Sequence, residues 1–400
     1  MAQLIPHLAS AGSAAFRKLV DAFLASEALP FARILSAERI QRVFANHHGL
    51  FGQRGIYSTA LVLWSFLSQV LRDGKEASCQ AAVARLVAYC QQEQIKPPTS
   101  DTGDYCRARA KLPEAALHEL SCEVAAELEA SADESWLRKG KHAKLIDGFT
   151  FTMPDTPENQ AKYPQQKSQK RGVGLPIARA VAIVSPATGC VFDLALGPYA
   201  GKQTGEPTLL RGLFPRLEAG DIAVRDRYYC SFPMIALLLA QGTQVCIRKH
   251  QRRHSDFRRG RRLGPNDHLL VWTRPARPEW MDPAVYETIP ETLTLREIRY
   301  QVVEPGRRTR VIEVISTLTD AEQYTREQIA QLCGFRWNSE LDLRSIKAAL
   351  NLGHVRCKSP EMVRRELGTT LLAYNLIRTT SVDGAGNRTS VTRPRSWPTT

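Results

Sequence analysis

The stretch Cys-Gly-Phe-Arg-Trp-Asn-Ser-Glu-Leu-Asp-Leu-Arg-Ser-Ile-Lys, residues 333–347, carries the most informative charge pattern in the chain. Within it, Arg336, Glu340 and Lys347 follow one another at intervals of four and seven residues. At 3.6 residues per turn, these three side chains fall within about 40° of one another around a helix. One helix face is therefore predicted to carry a carboxylate between two cations. Solvated surface helices also mix charges, so this pattern alone does not distinguish a functional site from an ordinary surface.

Two upstream aspartates each follow a short apolar run of the strand type. The run before Asp147 is Lys-Leu-Ile, and the run before Asp226 is Ile-Ala-Val-Arg, so both residues are predicted to end strands. If these aspartates and Glu340 converge, three carboxylates form a site for hard divalent cations. Mg²⁺ takes oxygen ligands and keeps waters that substrate phosphates can replace. The pattern thus predicts metal-dependent cleavage of phosphodiesters.

On these residues, the sequence resembles the bacterial insertion-sequence-four family of DDE transposases, whose helix motif reads Tyr-x2-Arg-x3-Glu-x6-Lys. The arginine, glutamate and lysine of the 333–347 stretch fit this spacing, while Cys333 stands at the tyrosine position. Residues 146–148, 201–206 and 220–227 also resemble the family's motif blocks, and the similarity covers about residues 40–378. The resemblance implies an RNase H-like catalytic domain that cleaves DNA at insertion-element ends and joins it to a target, in a cut-and-paste reaction.

The resemblance also implies roles for the motif residues. Asp147, Asp226 and Glu340 are expected to hold two Mg²⁺ or Mn²⁺ ions, as in-line phosphoryl transfer requires. Arg336 and Lys347 are expected to face DNA phosphates and to help keep the glutamate ionised. The missing phenol at residue 333 predicts weaker positioning of the DNA strand without loss of metal. A Cys333→Tyr substitution is then expected to raise the rate of end cleavage.

Two other classes of protein share many of these features. A DNA-binding protein without catalysis, either a decayed transposase or a repressor of its relatives, would keep binding DNA when metal is chelated. A two-metal nuclease serving repair or defence would cut without preference for particular terminal repeats. All three carboxylates are present, which argues against a decayed active site, but the divergent C-terminal tail argues for some decay.

Composition points to a polyanionic partner. The net charge of +14 and the pI near 9.5 favour nucleic acid, with a generally adhesive surface as the alternative. The resemblance implies that the partner is double-stranded DNA, at the element's terminal inverted repeats and at the target, and that the protein is a dimer on it. The chain has no run of 18 or more uncharged apolar residues, so no membrane partner is expected, and it begins without an export pattern. Nine scattered cysteines without a CxxC pair argue against disulfides or zinc. These features predict a cytoplasmic, nucleoid-associated protein.

Local patterns predict individual elements. Residues 177–184 and 190–196 alternate in hydrophobicity around the turn residues 185–189, which predicts a β-hairpin. Thr325 and Gln328 have the spacing of a capping box at the start of a helix.

Changes in hydrophobic periodicity divide the chain into segments. We expect an α/β protein whose RNase H-like mixed sheet has flanking helices, is interrupted by a β-rich insertion and follows an all-helical N-terminal domain. The predicted segments are a helical DNA-binding domain at 1–139, a first core part at 140–250, a basic β-rich insertion at 251–310, a second core part at 311–378 and a disordered tail at 379–400.

A short helix after Lys96-Pro97-Pro98 offers one set of cations to DNA phosphates. Its cations are Arg107, Arg109 and Lys111. A helix-turn-helix-like element is one interpretation and a solvated helix face is the other. The resemblance favours DNA binding, because relatives use this region on transposon ends.

The stretch from 248 to 262, the basic run, offers a second set, with eight cations against one aspartate. The predicted phosphate contacts are Arg252, Arg253, Arg258 and Arg259. A disordered, solubilising loop is the alternative. Trp272 follows in a strand-like segment and is the candidate to stack on a flipped base, as an insertion aromatic does in relatives. Its alternative role is to fill the insertion's own core.

Overall fold

The computed structural model describes residues 31–52, 55–170, 172–202, 204–302, 309–334 and 355–385, with the side chains of 136 and 381–385 left out. The described elements before residue 143 are all helical. Four of these helices begin with a Ser or Asp whose side chain accepts a hydrogen bond from a backbone N–H two or three residues on, which satisfies a free donor at the helix start. The helices are α1 (Ala37–Asn46), α2 (Thr59–Val70), α3 (Cys79–Gln92), α4 (Thr102–Ala110) and α5 (Glu114–Ala130).

A nine-stranded mixed sheet forms the centre of the molecule, in the order β3-β2-β1-β4-β5-β9-β8-β7-β6. β1, β4 and β5 run parallel to one another, and the remaining neighbours are antiparallel. The expected mixed sheet with flanking helices is therefore confirmed. The strands are β1 (Ala143–Thr152), β2 (Ile177–Val184), β3 (Val191–Pro198), β4 (Ile222–Arg225), β5 (Gln244–Arg248), β6 (Arg261–Gly264), β7 (Asp267–Thr273), β8 (Thr292–Val302) and β9 (Arg310–Ser316).

Short helices connect the strands and cover the sheet. Apolar side chains of α7 and α8 pack on the face that carries Ile146 and Ile247. The connecting helices are α6 (Pro157–Lys162), α7 (Glu206–Leu213), α8 (Phe232–Ala240), α9 (Pro283–Thr288) and α10, which begins at 326 and is described to 334.

The turn between β2 and β3 is built by its own residues. Ser185 Oγ accepts hydrogen bonds from the N–H groups of Ala187 and Thr188, at 3.1 and 3.2 Å. Gly189 has a φ of 72°, a conformation that glycine adopts without a steric penalty. The hairpin predicted around this turn is present, and β2 has the predicted bounds.

The strands after the basic run extend the central sheet. β9 pairs with β5 through Ile247 and Ile315, and β8, β7 and β6 follow as an antiparallel meander. Leu293 and Leu295 of β8 belong to the same hydrophobic cluster as Ile247. The meander and the parallel strands therefore share one core on this face.

A long helix, α11 (Pro360–Ala385), closes the structure against α5 and β3. Asn375 is fully buried and bonds to the edge of the sheet: its Oδ1 accepts from Val191 N at 2.9 Å, and its Nδ2 donates to Val191 O at 2.8 Å. The helix extends to Ala385, so residues 379–385 are helical and the predicted disordered tail is wrong for them. Once the buried face of a helix holds it in place, extending the helix by a few polar residues costs little free energy. Among the described residues, no helix combines the length and apolar character that crossing a bilayer requires.

Candidate active site

Asp147 and Asp226 occupy matching positions on two parallel strands. β1 and β4 pair in a register that sets Leu145 beside Val224 and Ile146 beside Arg225. Asp147 is the next residue of β1, and Asp226 directly follows the last residue of β4. Neighbouring strands lie about 4.8 Å apart. β1 does not end at Asp147 as the sequence suggested; it continues to Thr152 because β2 pairs with it over that length.

Both aspartates lie on the same side of the sheet. Side chains alternate between faces along a strand, so Asp147 shares a face with Leu145, and Asp226 shares one with Val224. The backbone at Asp226 is still extended, with φ −80° and ψ 168°. Leu145 and Val224 belong to one hydrophobic cluster, so the two half-buried aspartates extend from the same face.

The helix α10 packs on that same face. Leu332 and Cys333 are buried in the cluster that contains Leu145 and Val224. The predicted capping box at its start is confirmed, since Thr325 N donates to Gln328 Oε1 at 3.1 Å and Gln328 N donates to Thr325 Oγ1 at 3.2 Å. The chain then runs on toward the 336–347 motif. Arg336, Glu340 and Lys347 lie outside the described residues.

Cys333 is a core residue in this structure. It is 3% exposed, and its hydrogen bonding, followed by burial, raises the pKa of Cys246 on β5 well above the usual range. Burial, followed by charge interaction with Cys333, also raises the pKa of Tyr300. A tyrosine at position 333 would have to displace these neighbours, so a Cys333→Tyr variant would report on core strain as well as on DNA positioning.

A glutamate that the sequence analysis did not single out lies behind Asp147. A Cβ on Gly148 would come within 2.4 Å of Glu206 Cδ, so only glycine allows this approach. Tyr229 donates its hydroxyl proton to Glu206 Oε2 at 3.0 Å, and burial, followed by the charge of Glu206, raises the pKa of that phenol. Asp147 Oδ1 accepts from Gly148 N at 2.8 Å. The resemblance of residues 201–206 to a family motif block was the available signal for Glu206.

Arg225 is fully buried on the face opposite the aspartates. It shares that face with Ile146 and Ile247, its register neighbours. The guanidinium lies 5.9 Å from the Tyr229 ring centroid, and its three nitrogens have no hydrogen-bond partner among the described residues. Burial lowers the pKa of Arg225 to about 10. Its side chain therefore lies on the side of the strand away from the two aspartates.

The donor chemistry of the aspartate pair suits a hard divalent cation. Carboxylate oxygens are the ligands that Mg²⁺ and Mn²⁺ favour, and two like charges at adjacent strand positions repel each other unless a cation lies between them. A second group that could hold a metal, among the described residues, consists of His118, Cys122 and Asp193. Its thiol and imidazole are softer ligands, and Asp193 already pairs with His118 at 2.7 Å and Arg216 at 2.8 Å. This second group is an ion-pair network between α5 and β3.

The four arginines predicted in the basic run are all exposed at the surface. Arg258 and Arg259 are 90% and 87% exposed and pair with Asp256. Arg253 lies 3.8 Å from the centroid of the Trp272 ring, which is itself only 8% exposed within the core of the meander. The ring therefore fills the core, as the alternative expects, and it is not open for stacking on a base.

The three cations of α4 and its end differ in exposure. Arg107 is 71% exposed and pairs with Asp104, while Lys111 is exposed near the Phe51 ring. Arg109 turns inward instead. Its guanidinium lies over the Phe66 ring at 4.7 Å, and its Nη1 donates to Gln69 Oε1 at 2.8 Å. The helix therefore presents two of the three predicted cations to solvent.

Comparison with known proteins identifies the family to which this protein belongs. The family model of the transposase DDE domain matches residues 138–376, which is more than half of the chain, and the chain belongs to this family. A curated protein of Escherichia coli strain K12, transposase InsG for insertion sequence element IS4, is 27% identical over 237 residues. The match covers 58% of this chain and 50% of InsG, so the chain spans about half the length of the curated relative it matches. The family resemblance found in the sequence is thereby confirmed.

Proposed function

We propose that this protein is a DNA transposase that cuts at the ends of an insertion element and joins the freed ends to target DNA. The observation that supports this most directly is the register of β1 and β4. It sets Asp147 and Asp226 side by side on the face where α10 packs, and α10 leads into the segment that carries Glu340. Family membership supports the reaction class. The catalytic strands belong to an RNase H-like core in this proposal.

Three carboxylates make up the proposed metal site. Asp147, Asp226 and Glu340 would hold two Mg²⁺ or Mn²⁺ ions, which supply activation of the attacking oxygen and charge stabilisation at the leaving oxygen. The two strands fix the aspartates at adjacent positions, so their carboxylates are held in place before DNA arrives. A half-buried position strengthens electrostatic interactions compared with open water.

The 336–347 motif is proposed to complete the site. Glu340 follows Cys333 by seven residues, which is two helical turns and a rotation of about 20°. Side chains at this spacing fall on one side of a helix, and this sequence pattern supports Glu340 as the third carboxylate. Arg336 and Lys347 would place cations against DNA phosphates on that face.

DNA contacts are proposed for two further surfaces. In the segment 1–139, the exposed Arg107 and Lys111 would contact phosphates at the surface. Arg109, whose side chain points inward toward Phe66 and Gln69, would contact a phosphate that reaches this position. In the insertion at 251–310, the exposed side chains would attract the duplex over a longer range. Those side chains are Arg252, Arg253, Arg258 and Arg259, with Trp272 available to a base only if the meander rearranges. The active form on double-stranded DNA is proposed to be a dimer at the nucleoid.

The decisive experiment removes one strand-end carboxylate. We expect Asp226→Ala to abolish Mg²⁺-dependent nicking at the element's inverted repeats, while affinity for the same DNA is retained. Glu93→Ala, which removes an exposed carboxylate at the end of α3, serves as the matched control and should cut like the wild type. Nicking at unchanged rates in Asp226→Ala would contradict the site. Cutting without preference for inverted repeats would indicate a nuclease, and binding without any nicking would indicate a DNA-binding protein only.

A further inference from the structure

A small cavity lies between the N-terminal helices and the segment that begins at residue 355. Its volume is about 140 Å³, which is enough for one phosphate-sized group. Residues of α2, the start of α3 and the start of α11 contribute to its wall. Three arginines line it, and they are Arg72, Arg109 and Arg356. The cavity is therefore a place where cations from distant parts of the chain meet.

These arginines lack charged partners among the described residues. The Nε atoms of Arg72 and Arg109 are buried without a hydrogen-bond partner. Arg109 contacts an amide oxygen and two aromatic rings, at Gln69, Phe66 and Tyr105, and all of these groups are neutral. Arg356 donates from Nη1 only to the backbone oxygen of residue 72, at 3.4 Å. Guanidinium groups stay protonated in proteins, so the wall carries three positive charges.

One carboxylate lines the cavity, and the backbone already uses it. Glu366 accepts hydrogen bonds from the N–H of Arg356 at 3.0 Å and from the N–H of Cys357 at 2.9 Å. It forms no ion pair with the lining arginines in the described part of the chain. Partly buried cations without a counter-charge are costly, and an anion in the cavity would relieve that cost. Three arginines without a charged partner among the described residues line a cavity of this size, and this combination points to an anion as the missing partner.

We propose that Arg72, Arg109 and Arg356 form a binding site for one tetrahedral oxyanion, and that the anion is a backbone phosphate of DNA. The identity of the source rests on the proposed function. Guanidinium forks match phosphate geometry and give short, charge-assisted hydrogen bonds. The segment 355–357 directly follows the stretch that carries Glu340 and Lys347 in the sequence. A phosphate bound here would link the N-terminal helices to the segment that follows the third carboxylate in the sequence.

The first test needs no DNA. We expect sodium phosphate to raise the unfolding midpoint of the full chain by about 2–4 °C at tenfold excess over its Kd, compared with chloride at equal ionic strength. Arg109→Gln and Arg72→Gln should lose this shift. Arg72 makes no side-chain hydrogen bond in the described structure, so its variant should fold even if the other does not. Arg42→Gln, which alters an exposed arginine paired with Glu123 away from the cavity, should keep the shift.

The second test uses the end DNA of the element over a range of salt. Arg72→Gln should bind on the order of tenfold more weakly. The slope of log K against log salt should fall by about 0.9, the value for one lost phosphate contact. If phosphate fails to stabilise the wild type, or stabilises every variant equally, the oxyanion site is wrong.

The two tests also separate the source of the anion from the function. A phosphate shift that the cavity variants lose, combined with unchanged DNA slopes, would assign a free anion and overturn the DNA source. Absence of end binding in the wild type would instead refute the proposed function and the DNA source together, while the DNA-free test would still decide on the oxyanion.

Discussion

The aspartate pair at β1 and β4 and the basic run differ in how the structure holds their charged side chains. At the aspartate pair, the strand register places Asp147 and Asp226 in half-buried positions on a shared core face. In the basic run, the side chains of Arg258 and Arg259 are almost fully exposed and pair with the nearby Asp256. Bond cleavage needs groups held in a fixed geometry, whereas attraction of a polyanion works over about 10 Å and tolerates mobile side chains. The difference between the two regions is one of positional constraint.

The basic run itself contains both kinds of charge. Lys249 is 3% exposed and pairs with Glu297 and Glu313, each at 2.8 Å, whereas the arginines that follow it are exposed. The same residue class therefore stabilises the sheet at one position and faces solvent a few residues later. Substitutions within this run separate the two uses.

The largest effect on stability is expected at Lys249. Lys249→Gln would remove the buried cation that pairs with both Glu297 and Glu313, because the amide carries no charge, and would leave His268 as the partner of Glu297 at 2.9 Å. We expect a loss of about 3 kcal/mol in the free energy of unfolding, measured by denaturant titration. The matched control is Arg252→Gln, an exposed cation of the same run, which should change stability by less than about 0.5 kcal/mol. Equal losses of unfolding free energy in both variants would show that the buried Lys249 contributes no more to stability than an exposed arginine.

A smaller effect, on binding alone, is expected from the exposed arginines. We expect simultaneous substitution of the four by Gln to weaken DNA binding roughly 10- to 100-fold near 0.15 M salt and to flatten the salt slope by up to about 3.6. The substituted residues are Arg252, Arg253, Arg258 and Arg259. The cleavage rate at saturating DNA should stay within a few-fold of the wild type. A collapse of that rate would mean that the basic run also positions DNA for cleavage.

The smallest effect concerns the His118–Asp193 pair. Hydrogen bonding to Asp193 raises the pKa of His118 to about 10 in the folded protein, from about 6.5 in the unfolded chain. Because the pKa of His118 is higher in the folded protein, protonated His118 stabilises the folded state. This stabilisation is complete below about pH 6.5 and is lost as pH rises toward 10. Because the side chain is 44% exposed, solvent screening limits it to on the order of 1 kcal/mol.

The measurement is the stability difference between the wild type and His118→Gln at several pH values. We expect the difference to shrink between pH 6.5 and 10. His254→Gln, at an exposed position of the basic run, provides the comparison and should change the free energy of unfolding by less than about 0.5 kcal/mol. A constant difference for His118→Gln would show that its contribution is packing and not charge.

Local patterns identified many elements to within a few residues. The start of α10 was predicted from one threonine and one glutamine three residues apart, and the structure has both hydrogen bonds. The alternation of apolar residues gave the bounds of β2. These features depend on neighbours in the sequence, so sequence spacing contains the necessary information.

The burial and orientation of individual side chains depend on residues that are distant in the sequence. Arg109 follows the spacing of a solvated helix but turns inward, because the ring of Phe66 on α2 lies against it beside Tyr105 of its own helix. Trp272 enters a core shared with β8, and the pairing of β1 with β2 carries β1 past Asp147. Glu206 lies against Gly148 from a helix 58 residues along the chain.

The sequence by itself determined the chemistry that this protein has available: acidic residues after apolar strand runs, a charged helical motif and an excess of cations. Spacing along one element suffices for that, because strand and helix geometry are local. Only the tertiary structure decided which charges share a face, which are buried and which surround the arginine cavity. Those relations arise when strands from separate parts of the chain pair, and pairing register cannot be read from either strand alone.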